Sequence, residues 1–113
     1  MQKKLVFFVF PIKFFISHRL PIAIRAIEDG FDVHLISTSG DGEDVLRKYG
    51  IHFHKINITR SKANPFQEFK TILQVYKIYK KVKPDIVHHV TIKPILYGTL
   101  AARLARVKGI VNA

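Results

Sequence analysis

The stretch LVFFVFPIKFFISHRLPIAIRAIEDGFDVHLIS, residues 5–37, decides the fold because it contains a strand, a helix and a second strand in succession. Residues 5–10 form a continuous apolar run, which is typical of a parallel strand buried on both faces. An apolar stripe at helical spacing then leads to Gly30, and Pro21 suits the first turn of this helix. Residues 31–37 alternate like a second strand.

Strand and helix patterns continue to alternate up to Ala113. Further strands are predicted at residues 51–56, at residues 85–90 and from residue 109, with helices between them. This alternation predicts an α/β fold: a Rossmann-like parallel sheet of about five strands with helices on both faces. Residues 1–113 are therefore interpreted as a single Rossmann-like domain.

Two predicted helices carry clear sequence signals. In the first, over residues 65–83, Asn64 is a capping residue and Pro65 occupies the first helical position. Its apolar stripe includes Phe66, Phe69, Leu73 and Tyr76, widened by Ile72, Val75 and Tyr79. The second begins at Pro94, and Leu96, Leu100, Ala101 and Leu104 are expected to point inward. Gly98, in the middle of that helix, indicates close packing.

The charge and composition limit the classes of partner. The chain has 19 Lys and Arg against 8 Asp and Glu, a net charge of +11, which favours nucleic acid, phosphorylated substrates or a membrane surface. A nucleic-acid-binding motif is not recognisable, so nucleic acid is not an expected partner. The absence of cysteine excludes disulfides and thiolate metal sites. Apolar runs are shorter than the roughly 18 residues that span a bilayer, so membrane contact is expected to be peripheral.

Polar and basic side chains cluster where three predicted strands end. Ser17, His18 and Arg19 follow the first strand, Arg60 follows the third, and His89, Thr91 and Lys93 surround the end of the fourth. Since ligands of open α/β sheets bind at the carboxyl ends of the strands, we expect these side chains to converge on one edge.

Each cluster has a functional and a structural interpretation. Ser17, His18 and Arg19 suit a helix start that binds an anion, or a simple helix cap. Adjacent strand residues face opposite sides, so only one of His88 and His89 can enter a given site; His89 is favoured as a general base. A metal site is not expected here. His52 and His54 are explained by an exposed strand face.

Four segments of the sequence resemble a known family. FFISHRLPIAIRAIEDGFDVHLIS (14–37), NITRSKANP (57–65), KPDIVHHVTIKPILYGTLAARLARV (83–107) and GIVNA (109–113) resemble bacterial retaining glycosyltransferases of family 4, in particular those that extend lipid-linked glycans. Where many members have a glycine-rich first loop, this chain has FFIS, and the second histidine of the family's fourth-strand motif corresponds to Val90.

The resemblance implies a GT-B fold in which this chain is the N-terminal, acceptor-side half. The donor domain, with its E-x7-E glutamate pair, would lie outside residues 1–113. Ser17, His18 and Arg19 would face the cleft from the first loop, and His89, Thr91 and Lys93 would face it from the fourth. Independently of the resemblance, the planar guanidinium of Arg60 suits a clamp on a diphosphate, and the structural alternative is a solvated loop arginine.

The expected function is therefore acceptor binding in a retaining hexosyltransferase that is inactive as this fragment. Its acceptor would be a lipid-linked saccharide or a polysaccharide, and a nucleotide sugar would be co-substrate, with no metal or other cofactor. The expected location is the cytoplasm, peripheral on the inner face of the cell membrane. The alternative is a non-enzymatic basic α/β module that docks on an anionic membrane or a partner chain. An intermediate possibility is a split enzyme, in which the donor domain is a separate polypeptide.

Overall fold

The computed structural model describes residues 2–58 and 64–113, and in them five parallel strands form one sheet. The sheet order is β3-β2-β1-β4-β5, so the continuous apolar run of β1 lies at its centre. The predicted Rossmann-like α/β fold is confirmed. The strands are β1 (Lys4–Phe8), β2 (Asp32–Ser37), β3 (His52–Lys55), β4 (Ile86–His89) and β5 (Gly109–Asn112).

Helices cover both faces of the sheet. Alternate residues of β1 point to opposite sides: Phe7 packs in one core with α1, α2 and α3, and Phe8 packs in the other with α4 and α5. Both faces of β1 are therefore apolar, as its sequence indicated. The helices are α1 (Ile12–His18), α2 (Leu20–Glu28), α3 (Glu43–Lys48), α4 (Pro65–Val82) and α5 (Ile92–Leu104).

The first connection differs from the prediction, because it contains a helix, α1, where a glycine-free loop was expected. Ile12 and Phe15, three residues apart, are both fully buried, and the Phe15 ring meets the Phe7 ring edge-on at 5.3 Å between centroids. This apolar pair anchors the turn of helix. As a result, Ser17 and His18 end a helix instead of beginning one.

The apolar stripes predicted for α4 and α5 are wrong in part. The capping residue Asn64 is confirmed, since its side chain accepts the Phe66 amide at 2.9 Å. However, α4 buries Thr71, Val75, Tyr79 and Val82, whereas Phe66, Phe69 and Leu73 are exposed.

In α5 the buried face is made of Pro94, Tyr97, Gly98, Ala101 and Ala102. Leu96, Leu100 and Leu104, which were expected to point inward, are exposed. Small side chains let a helix backbone come close to its neighbours, and the close packing predicted at Gly98 is confirmed. Larger apolar residues on the other face of α5 are left uncovered.

Candidate functional site

The carboxyl ends of the strands surround an open hollow of about 480 Å³. Four connections contribute to its wall: Phe10 and Pro11 follow β1, Thr38 and Ser39 follow β2, Ile58 follows β3, and Lys93 follows β4. Apolar surface, hydroxyl groups and one ammonium group therefore line the same space. This combination can accept an anionic group attached to an apolar or sugar moiety.

Thr91 and Lys93 lie at the start of α5, both exposed to solvent. Thr91 is the N-cap with φ of 72°, and its side chain makes no capping hydrogen bond. The first turn of α5 contains no acidic residue, and Lys93 adds a cation to the positive end of the helix dipole. This end of α5 has the electrostatics of an anion site, and Lys93 lines the hollow.

Ser17 and His18 are exposed in the last turn of α1. The Ser17 hydroxyl lies 2.7 Å from His18 Nδ1, and both lie 3.2 Å from the Phe14 carbonyl oxygen. The His18 ring also stacks on the Phe14 ring at 4.1 Å between centroids. Neither side chain caps α2, whose N-cap is Arg19 with no side-chain capping bond. The cap interpretation of Ser17 is therefore wrong.

Arg19 lies between α1 and α2 and is half-buried, with one terminal nitrogen donating to the His18 carbonyl at 3.1 Å. Its Nε and His88 Nε2 are buried without a hydrogen-bond partner among residues 2–58 and 64–113. Burial lowers the pKa of His88, and the charge of Arg19 lowers it further. Arg19 and His88 therefore influence each other, a relation that the sequence analysis missed by favouring His89.

His89 does not face a cleft, and the orientation predicted for it is wrong. Its side chain is fully buried on the α4–α5 side, where its ring packs against Gly98. Because the Asn112 amide oxygen can only accept, His89 Nδ1–H donates to it at 2.8 Å, and Nε2 accepts from the Tyr79 hydroxyl at 2.8 Å. Burial lowers the pKa of His89, which keeps this neutral form. Its catalytic role stays a prediction.

The structure does not bring the predicted residues that it describes together in a single hollow. The hollow lined by Lys93 has neither Arg19 nor His89 in its wall. Arg60 lies outside the described residues. The edge location of the site was predictable from strand direction, whereas the direction of each side chain was not.

A second polar cluster lies at the opposite edge, where β2 and β3 begin. Asp32 Oδ2 is 3.1 Å from His34 Nε2, Asp32 Oδ1 is 3.0 Å from His52 Nε2, and His34 Nδ1 is 2.8 Å from His54 Nε2. His52 is exposed, but His54 is half-buried and stacked on His34, so an exposed strand face does not explain it.

The cluster has unusual electrostatics. Burial, with the neighbouring charges of His34, Lys81 and His52, lowers the pKa of His54 to about 4. Burial raises the pKa of Asp32, but hydrogen bonds and charges of His34 and His52 outweigh this effect and lower it overall. Near neutral pH the cluster therefore holds a carboxylate among imidazoles that include a neutral His54.

Exposed apolar residues form a surface on the outer sides of α4 and α5, which we call the apolar face. Its α5 members recur every four residues, which places them along one side of the helix. Phe66 is 79% exposed and Ile92 is 76% exposed, values far from those of core residues. Neither segment of the described chain contains a helix with the length and hydropathy needed to cross a membrane. The apolar face consists of Phe66, Phe69, Leu73, Ile92, Leu96, Leu100 and Leu104.

Comparison with known proteins gives consistent matches. A family model described as "Glycosyl transferase 4-like" matches residues 4–113. A curated relative, the UDP-N-acetylglucosamine--N-acetylmuramyl-(pentapeptide) pyrophosphoryl-undecaprenol N-acetylglucosamine transferase of Tolumonas auensis, is 31% identical over 60% of this chain and 22% of its own length.

Two solved structures illustrate the fold match. MurG of Acinetobacter baumannii superposes with a TM-score of 0.77 at 24% identity, covering 97% of this chain and 34% of that one. A glycosyltransferase from Rickettsia africae superposes with a TM-score of 0.80 at 20% identity, covering 98% and 29%. The chain therefore spans about a fifth of the curated relative and about a third of these structures.

Proposed function

The chain belongs to the glycosyl transferase 4-like family, and from this premise we propose that residues 1–113 are the N-terminal, acceptor-binding domain of a GT-B glycosyltransferase. The family match over residues 4–113 carries the proposal. In this assignment the nucleotide sugar binds to a donor domain outside the 113 residues. The domain alone binds acceptor weakly and transfers no sugar.

The proposed reaction moves a hexose from a nucleotide sugar to a lipid-linked saccharide or a polysaccharide, with retention of anomeric configuration. The nucleotide sugar is a co-substrate, and the transfer uses no resident cofactor. Retention follows from the resemblance to family 4 and is tested separately, by determining the anomeric configuration of the product of the complete enzyme by NMR. An inverted product would refute retention without affecting the acceptor assignment.

The acceptor is proposed to bind with its diphosphate at the start of α5. Lys93 and the positive end of the α5 helix dipole supply positive potential there, and the hollow that Lys93 lines provides room for a sugar. Ser17, His18, Arg19, Arg60 and Thr91 complete the proposed binding set. The name of the Tolumonas auensis relative gives its acceptor as a pyrophosphoryl-undecaprenol, which combines a diphosphate with an apolar chain.

The apolar face is proposed to dock on an anionic membrane, at the cytoplasmic surface of the cell membrane. Its α5 stripe begins at Ile92, next to Lys93, so a lipid-linked acceptor could keep its tail in the bilayer while its diphosphate meets the lysine. Exposed Lys70, Lys77 and Arg103 lie on the same two helices and complement anionic headgroups. Peripheral binding of this kind combines buried apolar area with charge.

The direct experiment measures binding of the 113-residue chain to vesicles that carry a polyprenyl diphosphate-linked saccharide. Vesicles with phosphatidylglycerol in place of the acceptor, at equal surface charge, separate diphosphate recognition from general electrostatics. We expect Lys93→Ala and Arg19→Ala to weaken acceptor-specific binding about tenfold. Lys108→Ala is the matched control, because Lys108 is an exposed lysine at the opposite edge of the sheet.

Three results would contradict the proposal. Binding that is equal on both vesicle types would remove the acceptor role, and equal losses in the Lys93 and Lys108 variants would remove the site. Transfer of sugar from UDP-N-acetylglucosamine by this chain alone, at the rate of a complete enzyme, would refute the division into acceptor and donor domains.

A second candidate is the non-enzymatic module, and the exposure of the apolar residues on α4 and α5 favours it independently of the site. It predicts docking on an anionic membrane or a partner chain without acceptor recognition. The coding sequence beyond Ala113 separates the candidates: a second Rossmann-like half with an E-x7-E pair supports the enzyme. A donor domain on a separate polypeptide that restores transfer would instead identify a split enzyme.

A further inference from the structure

The histidine cluster at the amino edge of the sheet is built by strand register. His34 on β2 pairs with His52 on β3, and Asp32 lies two residues before His34, so all three side chains project from the same face. The two carboxylate oxygens of Asp32 each face one imidazole nitrogen, at 3.1 Å from His34 and 3.0 Å from His52. One ligand atom from each of the three residues lies within 4.8 Å of the others.

We propose that Asp32, His34 and His52 bind a divalent transition-metal ion, with Zn²⁺ as the best-suited ion and solvent completing its coordination. Imidazole nitrogen and carboxylate oxygen bind Zn²⁺ at about 2.0–2.2 Å, so two ligands of one tetrahedral ion lie about 3.3 Å apart. The spacings of 3.1 Å to His34 and 3.0 Å to His52 are close to that value, each to a different oxygen of Asp32, and the ligand atoms of the whole set lie within 4.8 Å of one another. His52 is exposed and gives the ion a path from solvent.

His54 supports this assignment from behind the site. The Asp32 carboxylate accepts from His34 Nε2–H at 3.1 Å, so His34 Nδ1 accepts from His54 Nε2–H at 2.8 Å. A metal ion at His34 Nε2 would replace that proton, and Nδ1–H would then donate to His54 Nε2. A metal-binding histidine commonly has its second nitrogen held in this way, which fixes its tautomer and ring orientation. The pair is further ordered by stacking, with 5.1 Å between ring centroids.

The proposed metal site lies away from the proposed acceptor site, and an ion bound there would affect the stability of the fold. Asp32 and His52 are the first residues of β2 and β3, whereas the hollow lies where the strands end. A bound ion would join β2 to β3, the strand at the edge of the sheet, and would therefore stabilise the fold without entering the transfer reaction. Positive charge on Lys4 and Lys81 nearby opposes cation binding, so we expect micromolar affinity.

The test titrates the untagged 113-residue chain with Zn²⁺ by calorimetry and with Co²⁺ by visible absorption. The chain has no cysteine, so thiolate binding cannot contribute. We expect one ion per chain, absorption typical of tetrahedral Co²⁺, and a higher unfolding midpoint with Zn²⁺. His52→Asn and Asp32→Asn should each weaken binding about tenfold or more, and His18→Asn, an exposed histidine outside the cluster, should leave it unchanged.

His52 is the decisive position because it is exposed, so its substitution should leave the chain folded. Saturable binding that is lost in His52→Asn and kept in His18→Asn supports the site. Absence of saturable binding, or equal affinity in the His52 and His18 variants, overturns it and leaves the cluster as a hydrogen-bonded group of imidazoles around Asp32.

Discussion

Gly98→Ala provides the sharpest test of how the sheet is joined to α4 and α5. A methyl group added at Gly98 would lie 2.4 Å from two atoms of the His89 ring and 2.9 Å from a third. Ordinary contacts of this type begin near 3.4 Å, so the ring would have to move by about 1 Å. His89 is fully buried and lacks open space into which it could move.

The expected magnitude follows from what holds the ring. Overpacking of a buried site costs about 1–3 kcal/mol, and displacement of His89 breaks its 2.8 Å hydrogen bonds to Tyr79 and Asn112, each contributing about 1 kcal/mol. Alanine is favoured over glycine inside a helix by about 1 kcal/mol, which offsets part of the loss. We therefore expect Gly98→Ala to lower the free energy of unfolding by about 2–4 kcal/mol.

Urea denaturation followed by circular dichroism measures this change. Gly40→Ala is the control, since a methyl group there meets no atom within 4 Å and the backbone is not left-handed. It should be neutral or stabilising by up to about 1 kcal/mol. In a His89→Ala background, Gly98→Ala should cost almost nothing, because the ring that it strikes is gone. A Gly98→Ala variant as stable as wild type, with no coupling to His89, would refute the reasoning.

Three further changes test the same framework. Tyr79→Phe should destabilise by about 1–3 kcal/mol in urea denaturation, since His89 Nε2 would lose its buried donor; an unchanged midpoint would contradict that bond. Asn64→Ala should cost about 1 kcal/mol through the lost cap of α4, whereas Lys77→Ala, an exposed change in the interior of the same helix, should not. Burial lowers the pKa of His34, His54, His88 and His89 from 6.5, so the unfolded chain binds these protons first. The free energy of unfolding should therefore be fully present above about pH 6.5 and fall on acidification below it; equal values at about pH 7.5 and about pH 5.5 would contradict the burial of these rings.

The five strands and four of the five helices were predictable because their signals are local, whereas α1 was not predicted. A continuous apolar run, Gly30 after a helical stripe, and Asn64-Pro65 before another each act within a few residues. The inward face of α5 was not predictable in this way. Its leucines form an apolar stripe, but the buried stripe is made of small residues around Gly98, and periodicity alone does not rank two apolar stripes on one helix.

The side-chain chemistry of the site depended on long-range register. Alternation along β4 correctly places His88 and His89 on opposite faces, but only the packed structure shows that the α4–α5 side encloses His89. Likewise, His34 and His52 are far apart in the sequence, and they meet because β2 and β3 pair in a particular register. No local pattern reports a contact of this kind.

Helix α5 carries both the proposed diphosphate site, at its start, and part of the apolar face. Substitutions at its two ends can therefore test the two roles separately. Lys93 lies in its first turn and Leu104, eleven residues later, is its last residue, so the helix separates them by about 16 Å along its axis. Leu104→Gln should weaken binding to all anionic vesicles, because it removes apolar contact far from the diphosphate. Lys93→Ala should mainly reduce the preference for vesicles that contain acceptor. Ile22→Gln, an exposed apolar residue on α2 across the sheet, controls for general surface polarity. If Leu104→Gln altered acceptor preference and Lys93→Ala did not, the assignment of apolar docking and anion recognition along this helix would have to be reversed.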